Sequence, residues 1–146
     1  DKFKIFHPSG SLAKILITAK DLMIKGINIP IVSQNLTMDK AINVMSKKKL
    51  GCLVVKDNKD MVIGLITDGD LRRKNKNNLL QKKVKDIMTI NPKHINESML
   101  AVKALDIMNK KKITSLLVSS DKDHKNKKFK IKGLLHIHAL LQQGIK

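Results

Sequence analysis

Apolar residues along this chain follow a helical spacing and then an extended spacing, in an order that predicts alternating helices and strands. After a short extended segment, a helix is expected that Thr37 or Asn35 can cap. Two apolar runs at residues 53–55 and 62–66 then predict strands joined by a turn, and a second helix is expected at 68–75. The first helix has an apolar face at three- and four-residue intervals, formed by Met38, Ala41, Ile42 and Met45. The predicted order is therefore β-α-β-β-α.

The same pattern returns in the second half of the chain. An extended segment at residues 93–95 precedes a helix that Asn96 or Ser98 can cap. Two apolar runs follow, and a closing helix is expected at 138–143. The apolar face of the first of these helices comprises Leu100, Ala101, Ala104, Leu105 and Met108.

Alignment of the two halves shows an internal repeat. Residues 45–55 match residues 108–118 at an offset of 63, and residues 62–66 match 131–135 at an offset of 69. The extra residues fall within 119–130, a lysine-rich stretch that predicts a lengthened loop. Neither copy can bury both faces of so small a sheet alone. We therefore expect an α/β (α+β) fold in which two β-α-β-β-α repeats pack as one pseudo-symmetric module.

Three segments of the repeat resemble a tandem pair of CBS domains. They are Asp-Leu-Met at 21–23, Asp-Ile-Met at 86–88, and Gly-Leu-Ile-Thr-Asp-Gly-Asp at 64–70. The resemblance implies one CBS repeat at residues 21–82 and a second at 83–146. It also implies a regulatory module that binds small molecules.

Further segments resemble the C-terminal part of bacterial D-arabinose 5-phosphate isomerases: residues 7–12, 67–73, and 113–115 followed by 133–138. In that family a sugar-isomerase (SIS) domain precedes the CBS pair. It interconverts D-ribulose 5-phosphate and D-arabinose 5-phosphate, usually for synthesis of the lipopolysaccharide sugar Kdo. Residues 1–20 resemble the end of that SIS domain and its linker, so we expect this chain to be a fragment.

His7 matches a family histidine that is part of the isomerase site. The family has Gly-Gly after His-Pro, whereas this chain has Ser9 and Gly10. Isomerisation through an enediol needs a base, an acid and a phosphate cradle in one pocket. A single histidine cannot supply them, so we expect no catalytic residue to act in this fragment. The longer protein is expected to be an isomerase, with His7 as a candidate.

Thr67, Asp68 and Asp70 are the strongest candidates for ligand binding. The resemblance implies that Thr67 contacts a phosphate and that Asp70 accepts hydrogen bonds from ribose hydroxyls. A strand-to-helix junction offers free N–H groups to an anion. The same residues also form a capping-box pattern, in which the first and fourth residues cap the helix reciprocally. Both interpretations stay open, and they are compatible.

The second repeat has lost this motif, because His136 stands at the threonine position and Ala139 at the aspartate position. We therefore expect at most one site of the usual nucleotide-binding type. His136 and His138 are candidates for contact with an anion, although capping or solvent exposure would equally explain them. Two residues apart on a helix, they should point in different directions, so no metal site is expected.

Thr114 and Ser115 precede a predicted buried strand and match Gly51 and Cys52 of the first repeat. The resemblance places this position beside the ligand cleft, where the hydroxyls could meet a phosphate or a sugar. Hydrogen bonding at the entry of the strand is the alternative.

The net charge of +18 raises nucleic-acid binding as a hypothesis. Arg72 and Arg73 are the only arginines, and the three aromatic residues are Phe3, Phe6 and Phe129. The side chains suited to bidentate phosphate recognition and base stacking are therefore scarce. A lysine-rich composition from an AT-rich genome explains the charge better than nucleic-acid binding does. The positive charge nevertheless favours anionic ligands.

Two further properties bear on location. No apolar run approaches the roughly 18 residues that span a bilayer. The single cysteine, Cys52, cannot form an internal disulfide, which favours a cytoplasmic protein.

The leading functional hypothesis is a regulatory module of arabinose 5-phosphate isomerase that needs no cofactor. An anionic effector, either a nucleotide or a CMP-linked sugar acid, would bind it and act on the SIS domain of the same polypeptide. The alternative is a purely structural CBS pair that joins subunits as a homodimer within a higher homo-oligomer. Binding of nucleic acid is the third hypothesis.

Overall fold

The structure is a computed structural model that describes the backbone of residues 11–146 and the side chains from Lys14 onward. Its helices are α1 Ser11–Leu16, α2 Ala19–Leu22, α3 Met38–Lys48, α4 Asp68–Arg73, α5 Val84–Ile87, α6 Ala101–Lys111 and α7 Ile137–Gln142. Its strands are β1 Ile31–Ser33, β2 Cys52–Lys56, β3 Val62–Thr67, β4 Thr89–Ile90, β5 His94–Asn96, β6 Ser115–Ser119 and β7 Gly133–His136. The mixed α+β fold class predicted from the sequence is confirmed.

The described chain divides into two compact units. The Thr67 unit comprises Gly26–Lys93 and Lys125–Lys130. The His136 unit comprises the described residues up to Lys25, together with His94–His124 and Ile131–Lys146. Each unit combines segments from both halves of the chain. The sequence boundaries at 1–20, 21–82 and 83–146 stay a prediction.

The sheets of the two units share a topology. In the Thr67 unit the strand order is β1-β2-β3-β4, and in the His136 unit it is β5-β6-β7. The first two strands of each sheet are parallel, and the next pair is antiparallel. Ser33 pairs with Lys56, and Asn96 pairs with Ser119, so the offset of 63 residues carries over from the sequence to the strand register.

Each unit buries an apolar cluster between its helices and one face of its sheet. The cluster of the Thr67 unit comprises Val32, Met38, Ala41, Met45, Leu53, Val55, Ile66, Leu79, Val84 and Ile87. The cluster of the His136 unit comprises Ile17, Ala19, Ile95, Ala101, Ala104, Leu105, Met108, Leu116, Val118, Leu135, Leu140 and Ile145. Apart from half-buried Ile42 and exposed Leu100, the predicted helix-face residues belong to these clusters.

The predicted caps of the two long helices are partly wrong. Thr37 does occupy the N-cap position of α3, but its hydroxyl donates to the Asp39 carboxylate. Leu100, not Asn96 or Ser98, precedes α6. Asn96 and Ser98 instead bind the carboxylate of Asp121, which competes for their side chains. The competing partner of Thr37 is two residues away, whereas that of Asn96 and Ser98 is 25 and 23 residues away.

The composition of residues 119–130 predicted a lengthened loop, but part of this lysine-rich stretch is buried. Phe129 is 0% exposed, and its carbonyl oxygen accepts a hydrogen bond of 2.8 Å from the backbone N–H of Val62. Residues 125–130 therefore belong to the Thr67 unit, although the strands on either side of them, β6 and β7, lie in the His136 unit. Burial of the aromatic side chain stabilises this position. The surrounding lysines gave no indication of this burial in the sequence.

The Asp-x-Met segments that open the repeats pack against the glycines of β3 and β7. A Cβ atom on Gly64 would collide with the Met88 side chain, and one on Gly133 would collide with the Met23 side chain. At Gly133 the carbonyl oxygen of Ile24 also lies 2.9 Å from the Cβ position. Close approach therefore disfavours a side chain at both positions.

Within the part of the chain that the structure describes, no helix is long and apolar enough to cross a membrane.

Candidate functional site

Thr67 ends β3 and occupies the N-cap position of α4, so it lies at one edge of the sheet. Its strand neighbour Ile66 belongs to the apolar cluster, and side chains alternate along a strand. Thr67 therefore lies on the sheet face opposite that cluster. It pairs across the sheet with Cys52, which is buried at the start of β2.

Thr67 and Asp70 form a complete capping box. The backbone N–H of Thr67 donates to Oδ2 of Asp70 at 2.9 Å, and the backbone N–H of Asp70 donates to Oγ1 of Thr67 at 3.2 Å. The capping box thereby satisfies two of the backbone donors that have no partner within a helix at its start. The capping interpretation of this pair is confirmed.

Asp70 is 6% exposed, and burial of a carboxylate is costly unless it is paired. Arg73 supplies the pairing charge, because its Nη2 donates to Oδ1 of Asp70 at 2.7 Å. The Arg73 side chain remains 69% exposed. The exposed side chain of Arg73 thus fixes the Asp70 carboxylate in place.

Asp68 lies beside Gly51 rather than beside Asp70. Its backbone N–H donates to the Gly51 carbonyl at 3.0 Å, and a Cβ atom on Gly51 would meet its Oδ2 at 3.0 Å. Gly51 has a φ of 72°, a conformation that favours glycine. Sequence reasoning missed the role of Gly51, although a glycine directly before a buried strand was a usable signal.

The four candidates of the second repeat come together at the corresponding edge of the His136 unit. His136 is the N-cap residue of α7, and Ser115 pairs with it across the sheet. The carbonyl of Thr114 accepts a hydrogen bond of 2.8 Å from the backbone N–H of Ile137. Oγ of Ser115 is buried and has no hydrogen-bond partner among the described residues.

His136 and His138 lie side by side, contrary to the expectation that they point in different directions. Their ring centroids are 4.5 Å apart at an interplanar angle of 58°. Nδ1 of His136 accepts from the backbone N–H of His138 at 3.2 Å, so a neutral His136 ring carries its proton on Nε2. The expected angle between side chains two residues apart on a helix does not apply here. His136 is the N-cap residue and has an extended backbone.

We expect His136 to titrate below the ordinary histidine pKa of 6.5, first because burial disfavours its charged form and second because His138 lies beside it. The folded chain then binds fewer protons than the unfolded chain. His136 therefore contributes stability above pH 6.5 that is lost as the pH falls toward the folded pKa. NMR titration of the His136 ring protons measures this pKa, and a value at or above 6.5 would contradict the prediction.

Replacing His138 with alanine serves as the control. The pKa of His136 should recover only in part, because burial is the larger of its two causes.

Comparison with protein families identifies the family of this chain. The model for the CBS domain matches residues 19–77 and 84–144. The chain belongs to the CBS domain family. The resemblance predicted from the sequence, a tandem CBS pair, is thereby confirmed.

The CBS pair is similar in sequence to larger curated proteins. It is 39% identical over 145 residues to the uncharacterized protein RP505 of Rickettsia prowazekii. It is 35% identical over 148 residues to the arabinose 5-phosphate isomerase KdsD of Escherichia coli. Each match covers 99% of this chain but 43% of the relative, so the chain spans less than half the length of these proteins.

Solved CBS structures share the fold. CBSX2 of Arabidopsis thaliana, in complex with AMP, matches with a TM-score of 0.74 and 24% identity over 88% of this chain and 96% of that one. The CBS domain pair of MJ0100, in complex with 5′-methylthioadenosine and S-adenosyl-L-methionine, matches with a TM-score of 0.71 and 22% identity over 90% of this chain and 99% of that one. At these identities the likeness concerns the fold.

The candidates thus fall into two groups. Thr67, Asp68 and Asp70 lie in one unit, and Thr114, Ser115, His136 and His138 lie in the other. His7 lies outside the described residues.

Proposed function

We propose that this CBS pair is a ligand-sensing module that binds a nucleotide or a sugar nucleotide at Thr67 and Asp70. The observation that carries the proposal is a buried carboxylate held in one orientation at the edge of the sheet. Asp70 accepts from the Thr67 backbone through one oxygen and from Arg73 through the other. The AMP and adenosine-derived ligands named for two CBS structures of the same fold support it.

The proposed chemistry uses the remaining hydrogen-bonding capacity of these groups. A carboxylate offers about four acceptor positions, of which protein donors use two in Asp70. The two hydroxyls of a ribose would donate to the others. The Thr67 hydroxyl accepts from the Asp70 backbone and retains its own hydrogen to donate to a phosphate. The exposed guanidinium of Arg73 would add a positive charge nearby.

The second repeat would not bind the same ligand in the same way. Ala139 stands where Asp70 stands in the first repeat, so a ribose would find no carboxylate there. We propose one nucleotide-type site in this chain, with any site at Thr114, Ser115, His136 and His138 having different chemistry.

The test is calorimetric titration of the 146-residue chain with CMP, a CMP-linked Kdo, AMP and ATP. One of these should bind, and Asp70→Asn should weaken its binding by at least about tenfold, because a hydrogen bond to a charged group contributes about 1.5–3 kcal/mol. Asparagine keeps an oxygen that can cap Thr67, so the helix start should survive. Binding that is unchanged in Asp70→Asn would refute this site.

The matched control is Asp21→Asn. Asp21 accepts from the Thr18 backbone N–H at 2.9 Å in a second capping box, located in the His136 unit. If loss of a capping carboxylate were the cause of weaker binding, both variants would weaken it. We expect Asp21→Asn to leave the affinity unchanged.

A structural role is the second candidate, favoured by the completeness of the capping box. Thr67 and Asp70 satisfy each other without any ligand. A stable dimer in sedimentation, together with no binding of the four nucleotides, would support a CBS pair that joins subunits as a homodimer.

We further propose that the module belongs to a longer cytoplasmic isomerase of arabinose 5-phosphate, in which a SIS domain precedes it. The 35% identity with KdsD over 99% of this chain supports that context. A product of the same biosynthetic route, such as a CMP-linked sugar acid, would then be the effector. Coupling between effector and active site would have to be measured in the longer protein.

A further inference from the structure

A cavity of about 330 Å³ lies at the opposite end of the Thr67 unit's sheet from Thr67. It opens where the parallel strands β1 and β2 both end, whereas Thr67 pairs with the first residue of β2. The carboxyl ends of parallel strands are a recurrent place for ligands. The volume falls at the lower end of the range for small-molecule pockets, about 300–1,000 Å³.

At the equivalent place of the His136 unit, hydrogen bonds to one carboxylate join the neighbouring loops. Oδ1 of Asp121 accepts from Nδ2 of Asn96 at 3.0 Å and from the hydroxyl of Ser98 at 2.7 Å. The Ser98 backbone N–H also points to this oxygen, at 3.3 Å. One carboxylate thus ties together the two loops that follow β5 and β6.

The offset of 63 residues identifies the counterparts in the Thr67 unit. Asn58 corresponds to Asp121, Ser33 to Asn96, and Asn35 to Ser98. A neutral amide replaces the closing carboxylate, and the Asn58 side chain makes no hydrogen bond within the described residues. The cavity is open where the other unit places a carboxylate.

The charged groups that line the cavity are already paired. Lys56 binds Asp60 at 2.8 Å. Oδ1 of Asp57 accepts from the backbone N–H groups of Lys59 and Met61, at 2.9 and 3.0 Å. The lining itself holds one positive and one negative side chain, and both already bind groups of the protein.

The groups left for a ligand are uncharged. The amides of Gln34, Asn35 and Asn58 each offer donors and an acceptor, and the Ser33 hydroxyl retains its hydrogen. Half-buried Ile31 supplies an apolar part of the lining. We propose that this cavity binds a small uncharged polyhydroxyl compound of monosaccharide size. The inference goes beyond the nucleotide site and does not depend on it.

The experiment is a ¹H–¹⁵N NMR titration of the 146-residue chain with D-arabinose at up to about 50 mM, which saturates a site with a dissociation constant of about 1 mM. The backbone amides of Ser33 and Gln34 and the side-chain amide of Asn58 should shift and saturate. D-arabinose 5-phosphate should bind here no more tightly than the neutral sugar. Tighter binding of the phosphate would overturn the assignment of an uncharged ligand.

Two reciprocal variants test the cavity itself. Asn58→Asp restores the closing carboxylate of the other unit and should abolish these shifts. Asp121→Asn removes that carboxylate and should bring sugar-induced shifts to Asn96 and Ser98. Chemical-shift changes that do not saturate in the wild-type chain, or that persist in Asn58→Asp, would refute the site. Thr67 and Asp70 report separately on the nucleotide site in the same spectra.

Discussion

Replacing Phe129 with alanine is expected to lower the free energy of unfolding by about 3–5 kcal/mol, the usual effect of truncating a buried aromatic residue. Phe129 is 0% exposed, and its backbone is bonded to Val62 of β3. Equilibrium denaturation by urea measures the change. The loss should fall first on the Thr67 unit, because residues 125–130 belong to it. Hydrogen exchange should therefore accelerate more in β3 than in β7.

The control is Lys128→Ala, one residue away in the same segment. Lys128 is exposed, and surface substitutions usually change stability by less than about 0.5 kcal/mol. Its charge helps to lower the pKa of Asp57, but the hydrogen bond from the Met61 backbone is the larger cause. Equal effects of the two variants would contradict an anchoring role for the Phe129 ring.

Gly133→Ala is expected to destabilise the chain by about 1–3 kcal/mol or more, and by more than Gly64→Ala. Both substitutions place a methyl group against a methionine, Met23 or Met88. At Gly64 the three nearest atoms all belong to the Met88 side chain, and the two closest, Sδ and Cγ, lie beyond its Cβ atom and can move. At Gly133 the new methyl group would also meet the Ile24 carbonyl oxygen.

That carbonyl cannot move freely, because Ile24 and Leu134 exchange two backbone hydrogen bonds of 2.8 and 2.9 Å. A double-mutant cycle separates the two cases. Met88→Ala should remove most of the cost of Gly64→Ala, whereas Met23→Ala should remove little of the cost of Gly133→Ala. Full rescue of Gly133→Ala by Met23→Ala would show that the backbone contact is unimportant.

The asymmetry between the two repeats bears on function. At equivalent edges, one unit presents a buried carboxylate paired with Arg73, and the other presents two adjacent histidines beside the buried hydroxyl of Ser115. At the opposite edges, one unit places the Asp121 carboxylate between two loops, and the other places Asn58 in the lining of a cavity. The two repeats thus share one fold, but the hydrogen-bonding groups at both edges of the sheet differ between the two units.

Much of the fold could be predicted from the sequence because its elements depend on local periodicity. The helix faces around Met38 and Met108 and the hairpin strands follow from the spacing of apolar residues. The capping box at Thr67 is also local, since its two partners are three residues apart. The sequence by itself determined these elements, their repeat and the family.

Only the tertiary structure decided the features that depend on residues distant in sequence. Asp121 binds Asn96 across 25 residues and so displaces the predicted cap of α6. Phe129, within a lysine-rich segment, pairs with Val62, which precedes it by 67 residues. The nearness of His136 and His138 depends on an extended N-cap backbone that the spacing of the two residues does not reveal. For Asp121 and Phe129 the partner lies outside any local window, and for the histidines the backbone conformation sets the distance, so local pattern could not predict these features.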